Sequence, residues 1–284
     1  WYGLAEQIFM PIKIWQSKVG LMHIPHFNVP IFCPAKFIVT IHDLILRHFK
    51  TRRASTLGPI RYFFKNLAYR LIIWLAIKRA RKVITVSNYV KKDILDCFKV
   101  QPEKVKVIYE GAPSLLFFSP LPAGGGRLRG EELPVQMVSG GRFLLYVGNA
   151  YPHKNLEGLI RAFEILAKDF KDLKLVLVGE KDYFYERLEK SISTGLKDKI
   201  IFVGFVPDSE IVNFYQSAEL YIFPSLCEGF GLPALEAMAY GLPVVSSQAT
   251  CLPEILGKAA LYFDPQNIQD MVEKIKKHTT FSGV

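Results

Sequence analysis

Two carboxylates eight positions apart, Glu228 and Glu236, stand in the segment Pro224-Ser225-Leu226-Cys227-Glu228-Gly229-Phe230-Gly231-Leu232-Pro233-Ala234-Leu235-Glu236. An apolar, strand-like run at 220–223 leads into it, and a helical pattern leaves it with Pro233 at a first helical position. A strand, a glycine loop and a helix in this order let the backbone approach a ligand closely. The N–H groups of the helix start are then offered to an anion. Glu228 falls in the loop and Glu236 one turn into the helix, so both carboxylates can face a ligand at the carboxyl edge of a sheet. The spacing alone decides little: a chain of 284 residues with 16 glutamates contains about one such pair by chance.

A cation and several histidines complete the set of reactive residues. Tyr146-Val147-Gly148-Asn149-Ala150-Tyr151-Pro152-His153-Lys154-Asn155-Leu156 reads as a strand, a turn and a helix start. Lys154 there can neutralise charge growing on a departing diphosphate, whereas His153 is mostly neutral at pH 7 unless its pKa is raised. Val203-Gly204-Phe205-Val206 ends another strand, with Glu210 close behind as a residue to cap or line a pocket. In the first half, Thr40-Ile41-His42-Asp43-Leu44 closes a strand and puts His42 at its carboxyl edge. His26 and Asn28 lie in the loop His23-Ile24-Pro25-His26-Phe27-Asn28-Val29-Pro30. Ser87-Asn88 and Glu110-Gly111 follow two further strands.

Short β-branched runs that position these residues recur with longer helical patterns between them. Strands are predicted at 21–24, 37–41, 83–86, 105–108, 143–147, 173–178, 200–203, 220–223 and 244–246. Helices are predicted at 60–82, 156–170, 184–195, 208–217 and 233–239, with another near the end before a polar tail. This alternation predicts an α/β protein with two parallel, doubly wound arrays. The Gly- and Pro-rich stretch 113–142 reads as an interdomain linker, dividing a first domain at 1–112 from a second at 143–284. The first array shows no strand, Gly-rich turn and helix before residue 21, and the chain opens on Trp1. Both points predict a trimmed N-terminal domain.

Half of the residues are hydrophobic, enough for two cores and against disorder. The cysteines Cys33, Cys97, Cys227 and Cys251 are scattered, which predicts reduced thiols and no zinc site. No signal peptide opens the chain, and the apolar run 71–77 is too short to span a bilayer. The net charge of +10 divides into +13 for residues 1–111 and −3 for the remainder. A basic first half suggests a polyanionic surface as partner. Its cations interleave with Tyr62, Phe63, Phe64, Tyr69 and Trp74, a composition suited to anionic lipid headgroups. No nucleic-acid reader motif accompanies it.

The Glu228–Glu236 segment resembles the E-x7-E signature of glycosyltransferase family 4. The likeness is close over 142–264 and recognisable from about residue 20. It implies a GT-B fold, two Rossmann-like domains facing across a cleft, and retaining transfer of a hexose from a nucleotide sugar. Under it, Glu228 contacts the donor sugar, and the backbone at Phe230, Gly231 and Leu232 lies against sugar and pyrophosphate. Glu236 holds the ribose. Gly148, Asn149 and Lys154 face the phosphates, while Gly204, Phe205 and Val206 meet the base. His42 is expected beside the sugar as a catalytic or positioning residue, with His26 and Asn28 on the acceptor side. Ser87-Asn88 and Glu110-Gly111 resemble cleft or hinge positions. The family usually pairs an Arg with the lysine, and here Asn149 stands in its place.

The family mechanism has the leaving phosphate assist deprotonation of the acceptor on one face of the sugar, without metal or other cofactor. The resemblance to bacterial mannosyltransferases favours GDP-mannose over UDP-glucose as donor. It further implies a glycan or lipid-linked acceptor in cell-surface polysaccharide or glycolipid synthesis. Nucleic acid is not an expected partner. The expected location is cytoplasmic, with peripheral contact at the inner face of the membrane. The principal alternative is a catalytically inactive nucleotide-sugar-binding protein, favoured by Asn149. An epimerase of the same fold would lack the full Glu228–Glu236 segment, and a nucleic-acid-binding protein would account only for the basic half.

Overall fold

A computed structural model describes residues 4–49, 58–111 and 141–279. The chain divides into two compact units. One runs up to Glu110 and includes Glu228–Phe230; the other holds the remainder. The predicted linker falls mostly at 113–140, outside the described residues, as do Arg52 and Arg53 of the basic first half.

In the first unit the described elements are α1 (Leu4–Ser17), β1 (Leu21–Ile24), β2 (Lys36–Ile41), α2 (Ile45–His48), α3 (Pro59–Arg79), β3 (Val83–Thr85), α4 (Asn88–Phe98) and β4 (Val105–Val107). The strands form one parallel sheet in the order β1-β2-β3-β4, with Val39 opposite Val83 and Val83 opposite Val105. Parallel neighbours need crossovers, and α3 and α4 supply them between β2, β3 and β4. Val39, Ile41 and Val83 are fully buried against Ile73, Ile77 and Ile94 of the two helices. Ser87 starts α4 by accepting the Val90 N–H on its hydroxyl at 3.2 Å, an N-cap worth about 1 kcal/mol.

In the second unit follow β5 (Phe143–Val147), α5 (Leu156–Asp169), β6 (Lys174–Val178), α6 (Tyr183–Lys190), β7 (Ile200–Gly204), α7 (Asp208–Ser217), β8 (Leu220–Phe223), α8 (Leu232–Ala239), β9 (Val244–Ser247), α9 (Leu252–Leu256), β10 (Ala260–Phe263) and α10 (Ile268–Thr279). Six parallel strands lie in the order β10-β9-β8-β5-β6-β7. Winding starts at β5, runs outward to β7, then returns to β8 on the other side. The strand order therefore reverses between β5 and β8, and in an open α/β sheet ligands bind outside the carboxyl ends at that reversal. Both strands are buried on both faces: β8 is wholly inaccessible apart from 1% at Phe223. Leu159, Phe163 and Leu166 of α5 and Met271, Val272 and Ile275 of α10 are likewise inaccessible, closing one side of the core.

The predicted elements correspond to these with ends displaced by a few residues. Two of the differences have physical causes. The helix expected over 184–195 stops at Lys190, where Ser191 turns its hydroxyl back onto the Leu188 carbonyl at 2.6 Å, and a separate 3₁₀ turn follows at Thr194–Leu196. The edge strand β10 escaped the sequence reading because its residues, Ala-Leu-Tyr-Phe, include none of the β-branched side chains by which strands were recognised. Before β1, where no strand–turn–helix unit was read, the described element is α1, a helix with Ile8, Phe9, Ile12 and Trp15 exposed. Among the described residues no helix is long and apolar enough to cross a membrane.

Candidate functional site

The two segments singled out by their chemistry leave the carboxyl ends of β5 and β8, the pair flanking the strand-order reversal. Direct bonds join them. The Leu226 N–H donates to the His153 carbonyl at 2.7 Å, and the Asn155 side-chain amide donates to the carbonyls of Pro224 and Pro265 at 3.1 and 3.0 Å. Asn155 takes a left-handed conformation (φ 58°), one that asparagine tolerates better than most residues, and there it starts α5.

The turn after β5 is held from behind by three buried tyrosines. Tyr221 on β8 donates its phenolic proton to the Val147 carbonyl at 3.2 Å, Tyr185 on α6 donates to Gly148 at 2.7 Å, and Tyr146 donates to Asn149 at 2.8 Å. Three consecutive carbonyls are thus pulled toward the core. In a trans peptide the next N–H points the opposite way, so the amides of Asn149 and Ala150 are turned away from the phenols. Neither amide is hydrogen-bonded among the described residues. Such paired N–H groups can receive anionic oxygens. Gly179, after β6, makes room: a Cβ there would stand 2.1 Å from the Gly148 carbonyl and 2.6 Å from the Tyr185 phenol.

Lys154 closes the 3₁₀ turn Pro152–Lys154, with its ammonium 5.9 Å over the Phe223 ring. His153 beside it is mostly buried. Burial first, then the charge of Lys154, pushes its pKa down to about 4. His153 is therefore neutral at pH 7 and cannot supply the charge absent at Asn149. Asn149 itself is exposed and turns its Oδ1 toward the Tyr151 N–H, 3.3 Å away.

Gly231 caps α8 with φ 103°, a conformation that favours glycine, and Leu232 and Pro233 begin the helix. Glu236 lies on α8, partly accessible, with Oε2 accepting the Tyr215 phenol at 2.9 Å. Gly204 ends β7 with φ 85°, followed by Phe205, 76% exposed, and the buried Val206. Glu210 lies in the first turn of α7, partly accessible, and its N–H donates to the Pro207 carbonyl.

The remaining candidates belong to the first unit. His42 follows β2, and both of its ring nitrogens have partners: Nδ1 meets Glu110 Oε1 at 2.8 Å and Nε2 meets the Pro25 carbonyl at 3.0 Å. Carboxylate and carbonyl both accept, so both bonds form together when the ring carries a proton on each nitrogen. The His26 ring lies 4.1 Å from that of Phe27, tilted 34° to it. Burial, then the nearby His42, lowers the His26 pKa against a smaller opposing effect of Asp43. Asn28 donates its side-chain amide to Glu6 at 3.1 Å and its N–H to His26 Nδ1 at 3.2 Å. Glu228 is 7% exposed, and the adjoining Gly229 carbonyl accepts the Ser87 hydroxyl at 2.9 Å.

Sequence reasoning missed the roles of the tyrosines Tyr146, Tyr185, Tyr215 and Tyr221 and of Asn155, and it set Glu110 at a cleft or hinge position without pairing it with His42. No spacing signals them, because each acts from a different element. A tyrosine in a strand otherwise made of Leu, Ile, Val and Phe, as at positions 146 and 221, is the only available hint that a phenol is wanted there.

A parallel sheet with this reversal, carrying the two joined segments at its carboxyl edge, is a doubly wound, Rossmann-like domain of the kind from which the GT-B fold is built. The chain belongs to the glycosyl transferases group 1 family, whose model matches residues 134–280, and residues 13–113 match the model of glycosyltransferase family 4. It is 26% identical to the O-antigen chain mannosyltransferase RfbU of Salmonella typhimurium, over 97% of this chain and 69% of that protein. It is 31% identical to the O-antigen chain mannosyltransferase B of Escherichia coli, over 88% of this chain and 63% of that protein. The chain thus spans about two thirds of the length of these relatives. Among solved structures, HepE of Anabaena in complex with UDP-glucose matches in fold with a TM-score of 0.74 at 20% identity, over 99% of this chain and 75% of HepE.

Proposed function

We propose that this chain carries the machinery of a retaining hexosyltransferase that takes its sugar from a nucleotide-sugar donor. The observation that carries this reading is the junction at the strand-order reversal. There the Glu228–Glu236 segment and the Lys154 turn are tied together at the carboxyl ends of β8 and β5. In this reading Glu236 accepts from ribose hydroxyls, and Glu228 accepts from hydroxyls of the donor sugar. Phe230, Gly231 and Leu232 offer backbone to the sugar and pyrophosphate. Gly204, Phe205 and Val206 meet the base through main-chain groups. Lys154 and the outward amides of Asn149 and Ala150 neutralise the diphosphate as the glycosidic bond breaks.

Catalysis then rests on positioning and electrostatics. The departing phosphate oxygen takes the acceptor proton on the face it leaves. His42, fixed by Glu110 and Pro25, orients the sugar, while His26 and Asn28 serve the acceptor. GDP-mannose is the favoured donor, supported by the two mannosyltransferase relatives, with UDP-glucose as the competing choice. The acceptor is a glycan or lipid-linked glycan of a cell-surface polysaccharide. The chemistry assigned to these residues needs no metal. Peripheral contact with an anionic membrane goes with such an acceptor and with the basic first half.

A second reading, nucleotide-sugar binding without turnover, is favoured by one observation. Asn149 stands at the position of the expected cation, and His153 is neutral beside it. One experiment addresses both readings: release and transfer of sugar from GDP-mannose and UDP-glucose, without added metal, by the wild type, Glu228→Ala and Asn149→Arg. The enzyme reading expects turnover of one donor that Glu228→Ala abolishes. Donor binding without turnover in the wild type, gained in Asn149→Arg, would establish the second reading. Failure to bind either donor would sink both.

A further inference from the structure

Glu236 does not stand alone on its helix. Tyr215 of α7, 1% exposed, donates its phenolic proton to Glu236 Oε2 at 2.9 Å. The tyrosine is itself held on two sides. Its ring stacks on Tyr240, at the end of α8, with centroids 5.7 Å apart and planes 11° from parallel. It also lies 6.1 Å from the ring of Tyr221, the same residue whose phenol holds the Val147 carbonyl. Burial foremost, then the surrounding tyrosines and Glu236, drives the Tyr215 pKa far above the ordinary phenol value, so the group remains a proton donor. Oε1 of Glu236 has no hydrogen bond among the described residues, and the side chain is partly accessible.

A carboxylate on an exposed helix rotates freely about its last torsion, and each hydroxyl it receives must first stop that rotation. Here the phenol takes one lone pair of Oε2 and leaves Oε1 and the remaining lone pairs outward. We propose that Tyr215 is a positioning residue: it locks the plane of the Glu236 carboxylate so that its free oxygen meets a ribose hydroxyl of the nucleotide. The inference rests on the donor-site reading above and adds to it the group that makes ribose recognition selective. Tyr215 touches no ligand in this account and acts only through Glu236.

The test is the preference for ribose over deoxyribose, measured by calorimetry with GDP and UDP beside their 2′-deoxy and 3′-deoxy forms. The wild type is expected to favour the ribose form of the diphosphate it binds by tenfold or more against at least one deoxy form. Tyr215→Phe keeps the ring, its volume and the stack on Tyr240, and should reduce that preference to threefold or less. In Glu236→Ala, which removes both carboxylate acceptors, the preference should already be lost, and adding Tyr215→Phe to it should change the ratio no further. A merely structural role would weaken ribose and deoxyribose forms alike. An undiminished preference in Tyr215→Phe therefore overturns the inference while leaving the donor site intact. Should Tyr215→Phe not fold, Glu236→Asp, which draws the carboxylate back from the phenol, must lose the preference too, and its retention there is equally fatal. A wild type that binds neither GDP nor UDP ends the donor-site reading and this inference together.

Discussion

At the scale of single residues, the burial of His153 has a consequence that can be measured without any substrate. Its pKa in the folded protein lies near 4, below the ordinary histidine value of 6.5. As pH falls, the unfolded chain takes up the proton first, so the native state loses stability between about pH 6.5 and pH 4, and the loss is absent above that window. Linkage puts the cost at about 2 kcal/mol on going from pH 7.5 to pH 5. Urea midpoints at the two pH values should differ accordingly, and His153→Gln should remove most of His153's share of the difference. An unchanged difference in that variant would mean that the imidazole is not held neutral by burial. The identity of His153 and Lys154 was legible in the sequence, but their environment was not. Whether a histidine beside a lysine is solvated or buried depends on segments distant in sequence, such as the one whose Leu226 N–H binds the His153 carbonyl.

At the scale of elements, the order of strands and helices was readable because apolar runs and glycine turns alternate along the chain. The carboxyl-edge placement of Glu228, Glu236 and Lys154 followed from it. The path of the turn after β5 was not readable, since it is set by phenols on β5, α6 and β8 together. Gly179 is the point where that arrangement is most easily broken. A methyl group there would stand 2.1 Å from the Gly148 carbonyl and 2.6 Å from the phenol that holds it. Gly179→Ala is expected to cost about 1–3 kcal/mol of stability, as overpacking of a filled site does. It should also weaken binding of the nucleoside diphosphate that the wild type accepts. Chemical denaturation and calorimetry on the same preparation check both. Full affinity in a destabilised variant would separate the turn from the ligand.

At the scale of the whole molecule, the division of charge into a basic first part and a slightly acidic second part was visible in the sequence. The disposition of the aromatic residues among the cations needed the structure. Helix α3 buries Tyr69, Ile72, Ile73, Ala76 and Ile77 on one side. On the other it exposes Phe63, Leu67, Leu71 and Trp74, with Lys65, Arg70 and Lys78 also in solvent. Tyr69 therefore serves the core, a correction to any reading that groups it with the outward aromatics. An apolar stripe bordered by cations suits a surface of anionic headgroups, each cation adding about 1 kcal/mol near such a surface at low salt. In sedimentation with phosphatidylglycerol vesicles, the protein is expected to bind and to release as salt rises from about 0.05 M to about 0.5 M. Exchanging Phe63 and Trp74 together for serine should abolish binding without lowering the unfolding midpoint, since both are exposed. Equal binding to neutral phosphatidylcholine vesicles would count against the cations, and no binding to either against the whole surface.

The three phenols behind Val147, Gly148 and Asn149 carry a lesson for anyone who transplants or redesigns this site. The instructions for the turn are written elsewhere in the chain, on β5, α6 and β8. A segment cut from residues 148–154 and grafted into another scaffold would arrive without its shape. Conversely, an exposed side chain in the turn such as Asn149 is free to change while the tyrosines stay, because the main chain there is steered by its carbonyls; Gly148 is not, since its φ of 148° favours glycine and a Cβ would stand 2.9 Å from the Tyr146 phenol. Asn149 can thus occupy a place expected to hold a cation without deforming the path around it. Refitting this site with a new side chain at 149 is a local edit, whereas moving it means moving half of the sheet.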